Sequence, residues 1–327
     1  MPTPLLICDD SSFARKQIAH ALPEDWDVEL SFAGNGMEAL EAISAGRGDV
    51  VFLDLNMPVM DGYQVLEAVR ERDLPAMAIV VSGDIQPEAE RRVKALGALE
   101  FIRKPLEQNS VADVLHRFGI HSTSVNTLRH DALAVDPLDA LREVINIAIG
   151  QAADVLARLL NTFVVMPAAT VNMLEASELR MALQQIGRDG NVAGVCQGFV
   201  GPGIAGEAFM MINEPGDVAR LMHYDCGHDA VAEIELLMDT ANVMIGACLK
   251  RIAEQLGIKL SQGHPMLLGE HGKIEDPGTM QDACWPRSLA TEVRISIENE
   301  NVHCDLLILF TESSLSALEA LSAYLAD

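Results

Sequence analysis

Two stretches 96 positions apart repeat one polar pattern on an apolar background: "DALREVINIAIG" at 139–150 and "EIELLMDTANVMIG" at 233–246. Asp139, Glu143, Asn146 and Gly150 fall at i, i+4, i+7 and i+11, and so do Glu235, Asp239, Asn242 and Gly246. Such residues share one face of a helix. A carboxamide both donates and accepts, so an asparagine on that face could hold a water and aim it at a phosphorus atom. The carboxylate one turn earlier could pair with a lysine of whatever docks there. Glycine inside a helix costs roughly 1 kcal/mol relative to alanine, so a glycine at both matching positions suggests close approach by another surface. A single such stripe is most simply a solvated helix edge; its repetition argues for a role.

A second set lies near the N-terminus. Asp9 and Asp10 close the apolar run "LLIC", Asp54 closes "VVFL", Ser82 closes "IVV", and Lys104 follows "FIR". Carboxylates converging in one crevice repel unless a cation sits among them, and rigid oxygen ligands suit Mg²⁺. A lysine and a hydroxyl opposite could hold the oxygens of a phosphoryl group carried by one carboxylate.

The elements that must position these residues follow from periodicity. Strands are expected at "PLLIC", "VELSF", "DVVFL", "MAIVV" and "LEFI", with helices starting near Ser11, Asn35, Tyr63, Pro87 and Glu107. Strand–helix alternation of this kind predicts a parallel sheet covered on both faces, with ligands bound at the carboxyl ends of the strands. Residues 121–135 read as a linker, and a long helix is expected over 137–161. Strand-like "VVMPAATVNML", a short helix near 177–187, and strands "VAGVCQGFVG" and "GIAGEAFMMI" follow. A helix after Pro215 and a second long helix over about 229–257 come next. Strands at "IKLSQGHPMLL", "ATEVRISIE" and "VHCDLLILF" and a closing helix complete the chain, with 269–288 as an inserted loop. The order recurs in two halves, which predicts an internal pseudo-twofold repeat.

Composition sets limits on partners. The 327 residues favour two domains. The formal charge is −25, spread over both parts: residues 1–122 carry 11 Lys/Arg and 20 Asp/Glu, and residues 123–327 carry 12 and 28. A surface this acidic repels phosphate backbones and anionic lipid, so nucleic acid and membrane are not expected partners. No apolar run approaches the ~20 residues of a membrane helix. The six cysteines lie singly and no secretory signal is read, so a cytoplasmic setting is expected. "HYDCGHD" (His223, Cys226, His228) reads as an ordinary loop rather than a zinc site, and "GPGIAG" lacks the Lys-Ser/Thr of a phosphate-cradling loop.

Residues 4–120 resemble a CheY-type response-regulator receiver domain, through "LLICDDS", "VFLDLNMPVMDG", "VVSGD" and "FIRKP" in order. The resemblance implies a flavodoxin-like, doubly wound five-stranded sheet over 1–120. It implies Asp54 as phosphoacceptor, and Asp9, Asp10, Asp54 and the Asn56 carbonyl on Mg²⁺. Ser82 and Lys104 would contact the phosphoryl group, Phe101 would swing on activation, and the Lys104–Pro105 bond would be cis. A sensor histidine kinase would be the phosphodonor.

Residues 136–327 resemble the CheC/CheX/FliY family of response-regulator phosphatases. The match rests on the acidic-x3-Glu-x2-Asn signature (Asp139, Glu143, Asn146) and the glycine-spaced strand pair "GFVGPGIAGEAFMMIN". The resemblance implies a CheC-like α/β domain in which Asn146 orients the attacking water and Glu143 contacts the receiver's lysine. Asn242 and Asp239 would form a second site, where Asp239 stands in place of the expected Glu and leaves the carboxylate one methylene short. The expectation is a chemotaxis or two-component signalling protein that hydrolyses aspartyl phosphate on a CheY-like receiver. That receiver is either its own or, as the favoured form, a separate one, with Asp54 phosphorylation as the control. The alternative is a non-catalytic adaptor that docks a flagellar or chemosensory partner. A homodimer is left open.

Overall fold

The computed structural model describes residues 2–23, 25–107, 110–120, 137–175, 178, 192–213, 218, 230–269, 287–298 and 302–326. It divides into two compact units, Met1–Gln151 and Ala152–Leu325.

In the first unit the chain alternates β1 (Thr3–Cys8), α1 (Ser12–His20), β2 (Val28–Ala33), α2 (Gly36–Ser44), β3 (Val50–Leu53), α3 (Gly62–Glu71), β4 (Met77–Ser82), α4 (Pro87–Ala95), β5 (Glu100–Arg103) and α5 (Ser110–Arg117). The five strands form one sheet in the order β2-β1-β3-β4-β5, and every pairing is parallel. Side chains alternate across it, as a strand's period of two requires. Leu6, Cys8, Val51, Leu53 and Val80 join one buried cluster with residues of α2 and α3, while Leu5, Ile7, Phe52, Ile79 and Val81 join another with residues of α1 and α5. Both faces are therefore dry, as an all-parallel sheet demands.

Local chemistry fixes the helix starts. Ser11, Asn35 and Asp61 cap α1, α2 and α3 by accepting the backbone N–H of Ala14, Glu38 and Gln64. At α3 the cap is reciprocal, since Gln64 Oε1 accepts from Asp61 N at 3.1 Å. A Cβ on Gly62 would lie 2.3 Å from the Asp54 carbonyl oxygen, so only glycine lets α3 start this close to the end of β3.

The long helix α6 (Pro137–Leu160) follows, and its N-terminal part, through Gln151, belongs to the first unit. The second unit holds the rest of α6, then β6 (Val164–Val165), β7 (Thr170–Glu175), β8 (Val192–Gly201), β9 (Ile204–Asn213), α7 (Ala230–Gln255), β10 (Ser261–Gln262), β11 (Met266–Gly269), β12 (Arg287–Ile297), β13 (His303–Thr311), a 3₁₀ turn (Glu312–Ser314) and α8 (Leu315–Ala326). Its eight strands make an antiparallel sheet with the path β10-β8-β9-β13-β12-β6, in which β11 also pairs with β8 and β7 with β12. Cys196, Phe209, Met211, Ala290, Leu307 and Leu309 form one buried cluster on it, and α7 packs against β8 and β9. The expected "VVMPAATVNML" strand is two strands, because Pro167 has no N–H to place in a ladder. The expected helices near 177–187 and after Pro215, the "HYDCGHD" run and most of the 269–288 insertion lie outside the described residues. Among the described residues no helix is long and apolar enough to cross a membrane.

Candidate active site

The acids of β1 and β3 meet at the carboxyl end of the first sheet because parallel strands of matched register end together: Cys8 pairs with Leu53, and the next residues are Asp9 and Asp54. Lys104 directly follows β5, is joined to Pro105 by a cis peptide bond, and reaches back across the crevice. Its Nζ donates to Asp9 Oδ2 at 2.7 Å and lies 3.1 Å from Asp54 Oδ1. Asp54 Oδ2 also accepts from Asn56 N at 2.7 Å, and Asp9 Oδ1 accepts from Ser11 N at 2.9 Å. Ser82, fully buried at the end of β4, accepts from Asp84 N through its hydroxyl. Phe101 is half-buried and packs against the cluster beneath α2 and α3.

The fourth side of the crevice is the N-terminal part of α6. Glu143 Oε1 lies 2.9 Å from Lys104 Nζ, at ion-pair distance though off hydrogen-bond alignment. Asn146 lines the same small cavity as Asp54, Asn56 and Lys104. Asp139 Oδ2 accepts from the Ser12 hydroxyl and, at 3.0 Å, from Phe13 N. Burial is deep: Asp9 is 0%, Glu143 2%, Asp54 5% and Lys104 7% exposed. The cavity left among them measures only about 10 Å³, roughly the room of one water.

One cation thus faces several carboxylates. Burial by itself would lower the Lys104 pKa, but Asp54, Asp9 and Glu143 outweigh it and hold the ammonium charged well above its usual range. Burial raises the Asp9 carboxyl; Lys104 opposes the shift, while Glu143, Asp54 and Asp10 add to it. Burial, then the charges of Asp54 and Glu143, push Asp10 up to about 7. This excess of negative charge and its oxygen donors suit a divalent cation. With Lys104 drawn onto Asp9 and Asp54, however, no three carboxylates gather at cation-binding distance among the described residues.

The second stripe is arranged differently. Glu235, Asp239 and Asn242 are exposed on α7. Gln197 Nε2 donates to Asn242 Oδ1 and to the Gly263 carbonyl, both at 2.8 Å. Gly246 faces Gln262 rather than an incoming backbone.

A family model described as "Response regulator receiver domain" matches residues 5–116. Residues 5–116 are a response regulator receiver domain. Receiver domains work in two-component and chemotaxis signalling through phosphorylation of an aspartate, take the phosphoryl group from a histidine kinase, and bind Mg²⁺ for that step. The receiver is similar to part of the protein-glutamate methylesterase/protein-glutamine glutaminase of Geobacillus kaustophilus, with 38% identity over 37% of each chain. A counterpart in Syntrophomonas wolfei is 44% identical over 34% of this chain and 32% of its own. The chain therefore spans about a third of the length of the curated relatives it matches. Among solved structures, the chemotaxis protein CheY4 of Vibrio cholerae is 31% identical over 36% of this chain and 98% of its own, with a TM-score of 0.33. The CheX-CheY-BeF3-Mg complex of Borrelia burgdorferi includes a chain 30% identical over 37% of this one and 92% of its own, with a TM-score of 0.34.

The first stripe and the receiver crevice, distant in sequence, thus share one site with Asp9, Asp10, Asp54, Asn56, Lys104, Glu143 and Asn146; Asp239 and Asn242 lie on α7. Sequence reasoning missed the contacts of Asp139 with α1 and of Gly83 with α6. A signal for the first existed, since the first turn of α1 carries no acidic residue of its own.

Proposed function

We propose that this chain is a signalling protein whose α6 stripe hydrolyses the aspartyl phosphate formed on its own Asp54. The observation that carries the reading is the placement of Glu143 against Lys104 with Asn146 beside Asp54. Phosphorylation needs a kinase or small phosphodonor to reach Asp54, so the stripe must withdraw for that step and return afterwards. On return, Glu143 pairs with Lys104 and fixes the helix, while the Asn146 carboxamide holds a water on the side of the phosphoryl group away from Asp54. Asp54 leaves as a carboxylate, and positioning the water is most of what hydrolysis still requires. Asp9, Asp10, Asp54 and the Asn56 carbonyl would hold Mg²⁺, which neutralises charge on the phosphoryl oxygens. Exclusion of bulk water by α6 strengthens each of these electrostatic contacts.

We read residues 136–327 as CheC-like with an internal pseudo-twofold repeat, supported by the equal spacing of the two stripes. The phosphodonor is a sensor histidine kinase. A separate CheY-like receiver as substrate is the weaker form, because the chain's own crevice already takes the stripe.

A second, non-catalytic reading has support in the same burial: α6 could simply shield Asp54 as part of an adaptor. The lifetime of phosphate on Asp54 separates the two. Catalysis predicts that Asn146→Ala lengthens it at least tenfold, and shielding predicts no change.

A further inference from the structure

The stripe meets the receiver at two further points, one at each end, and neither involves Lys104, although Gly83 at the second also lines the cavity beside Asp54. Asp139 lies at the start of α1. Phe13 is the second residue of that helix, and its N–H has no intrahelical acceptor. Ser11, the cap, takes Ala14 N, and Asp139 Oδ2 takes Phe13 N and the Ser12 hydroxyl. The negative charge favoured at a helix N-terminus thus comes from a residue 126 positions later in the chain.

Eleven residues further along α6, roughly 16 Å at 1.5 Å per residue, the backbones touch. A Cβ on Gly150 would lie 2.4 Å from the Gly83 carbonyl carbon and 2.7 Å from Asp84 N. A Cβ on Gly83 would lie 3.0 Å from Ile147 Cα. All of these neighbours are backbone atoms and cannot swing aside.

We propose that these two contacts set the register of the stripe and make it specific for its receiver. Asp139 and Gly150 are positioning residues on α6, and they read a hydroxyl at Ser12 and a bare backbone at Gly83. Glu143 and Asn146 lie between the two anchors, so a slip of one residue at either end would carry the carboxamide out of the crevice. A receiver with a side chain at the position of Gly83 would push the backbone of α6 back by a few tenths of an ångström or more, and one without a hydroxyl at Ser12 would be held less firmly.

The proposal deepens the reading above, but its test does not depend on hydrolysis. Amide hydrogen exchange at Phe13 is measured in the full-length protein with Mg²⁺, with Ile18 of the same helix as reference. Wild type protects both amides. Gly150→Ala raises helix propensity, and Gly83→Ala sits at a backbone that alanine can adopt. Each should nevertheless speed Phe13 exchange about tenfold or more while Ile18 stays protected. Asp139→Ala should do the same, and Asp139→Asn, which keeps an acceptor, should restore part of the protection. Unchanged Phe13 exchange in either glycine variant overturns the proposal. Faster exchange with an unaltered lifetime of phosphate on Asp54 upholds the register and instead refutes the hydrolytic role of α6.

Discussion

Asn146→Ala is the perturbation whose effect the site constrains most. The cavity beside Asp54 holds about 10 Å³ of space, roughly one water, and the Asn146 carboxamide is one of its walls. Alanine removes that wall together with the one donor–acceptor pair that α6 contributes to it. The crevice then has room for about one water more, and none is held on the line opposite the departing Asp54 oxygen. Loss of a single positioning contact should cost at least about 1.4 kcal/mol of barrier, a tenfold longer phosphate lifetime. The docking contacts are untouched, because Asp139 still meets α1, Glu143 still meets Lys104, and Gly150 still meets Gly83. The assay labels Asp54 with a small phosphodonor and Mg²⁺, removes the donor, and follows decay of the label alongside Phe13 amide exchange. The expected result is slow decay with undisturbed exchange. Unchanged decay refutes the catalytic argument, and slow decay accompanied by fast exchange would show that Asn146 serves docking only.

Other expectations follow from the same contacts. Asn242→Ala should change the phosphate lifetime less than twofold, because Gln197 already engages the Asn242 oxygen and Asp239 is the shorter acid; a loss equal to that of Asn146→Ala would overturn this ranking. Asp54→Asn should take no label from a small phosphodonor, and undiminished labelling would refute Asp54 as phosphoacceptor. Asp10, raised to about 7 from an ordinary 3.8, binds its proton more tightly folded than unfolded, so without divalent cation stability should fall as pH rises from about 4 through 7. Mg²⁺, which needs the ionised form, should therefore raise the melting temperature more at about pH 8 than at about pH 6; the opposite order in a thermal-shift titration would contradict this electrostatic account.

The receiver's fold was legible because its signals are local. Apolar runs such as "VVFL" are short and fully buried, and Asn35 and Asp61 cap their helices within four residues. In the second unit, β8 has the bounds that "VAGVCQGFVG" suggested, since turn residues flank an unbroken apolar pattern. "IKLSQGHPMLL", by contrast, separates into β10 and β11 around Gly263 and Pro265, a break that hydrophobicity averaged over the run conceals. A pairing of Glu143 with a lysine of a docking surface could be anticipated from charge; that the lysine is a receiver's came from the resemblance to the CheC/CheX/FliY family. The docking of 139–150 on the crevice of the same chain could not, because nothing in periodicity says which receiver a helix face will find. Gly83 was hidden for a related reason: Ser-Gly-Asp after a strand reads as an ordinary turn, and its need for a bare backbone comes from Ile147 and Gly150, which lie more than sixty positions away.

In the proposed mechanism α6 acts on the aspartyl phosphate of its own chain. The most direct measurement follows label on Asp54 in Asn146→Ala protein after mixing with an excess of unlabelled Asp54→Asn protein, which keeps Asn146 but has no phosphate of its own. Action within one chain predicts that the slow decay stays slow at every concentration of the added protein, while wild-type decay remains first-order on dilution. Restoration of fast decay in proportion to the added Asp54→Asn protein would contradict it and would show that the stripe of one molecule serves the receiver of another.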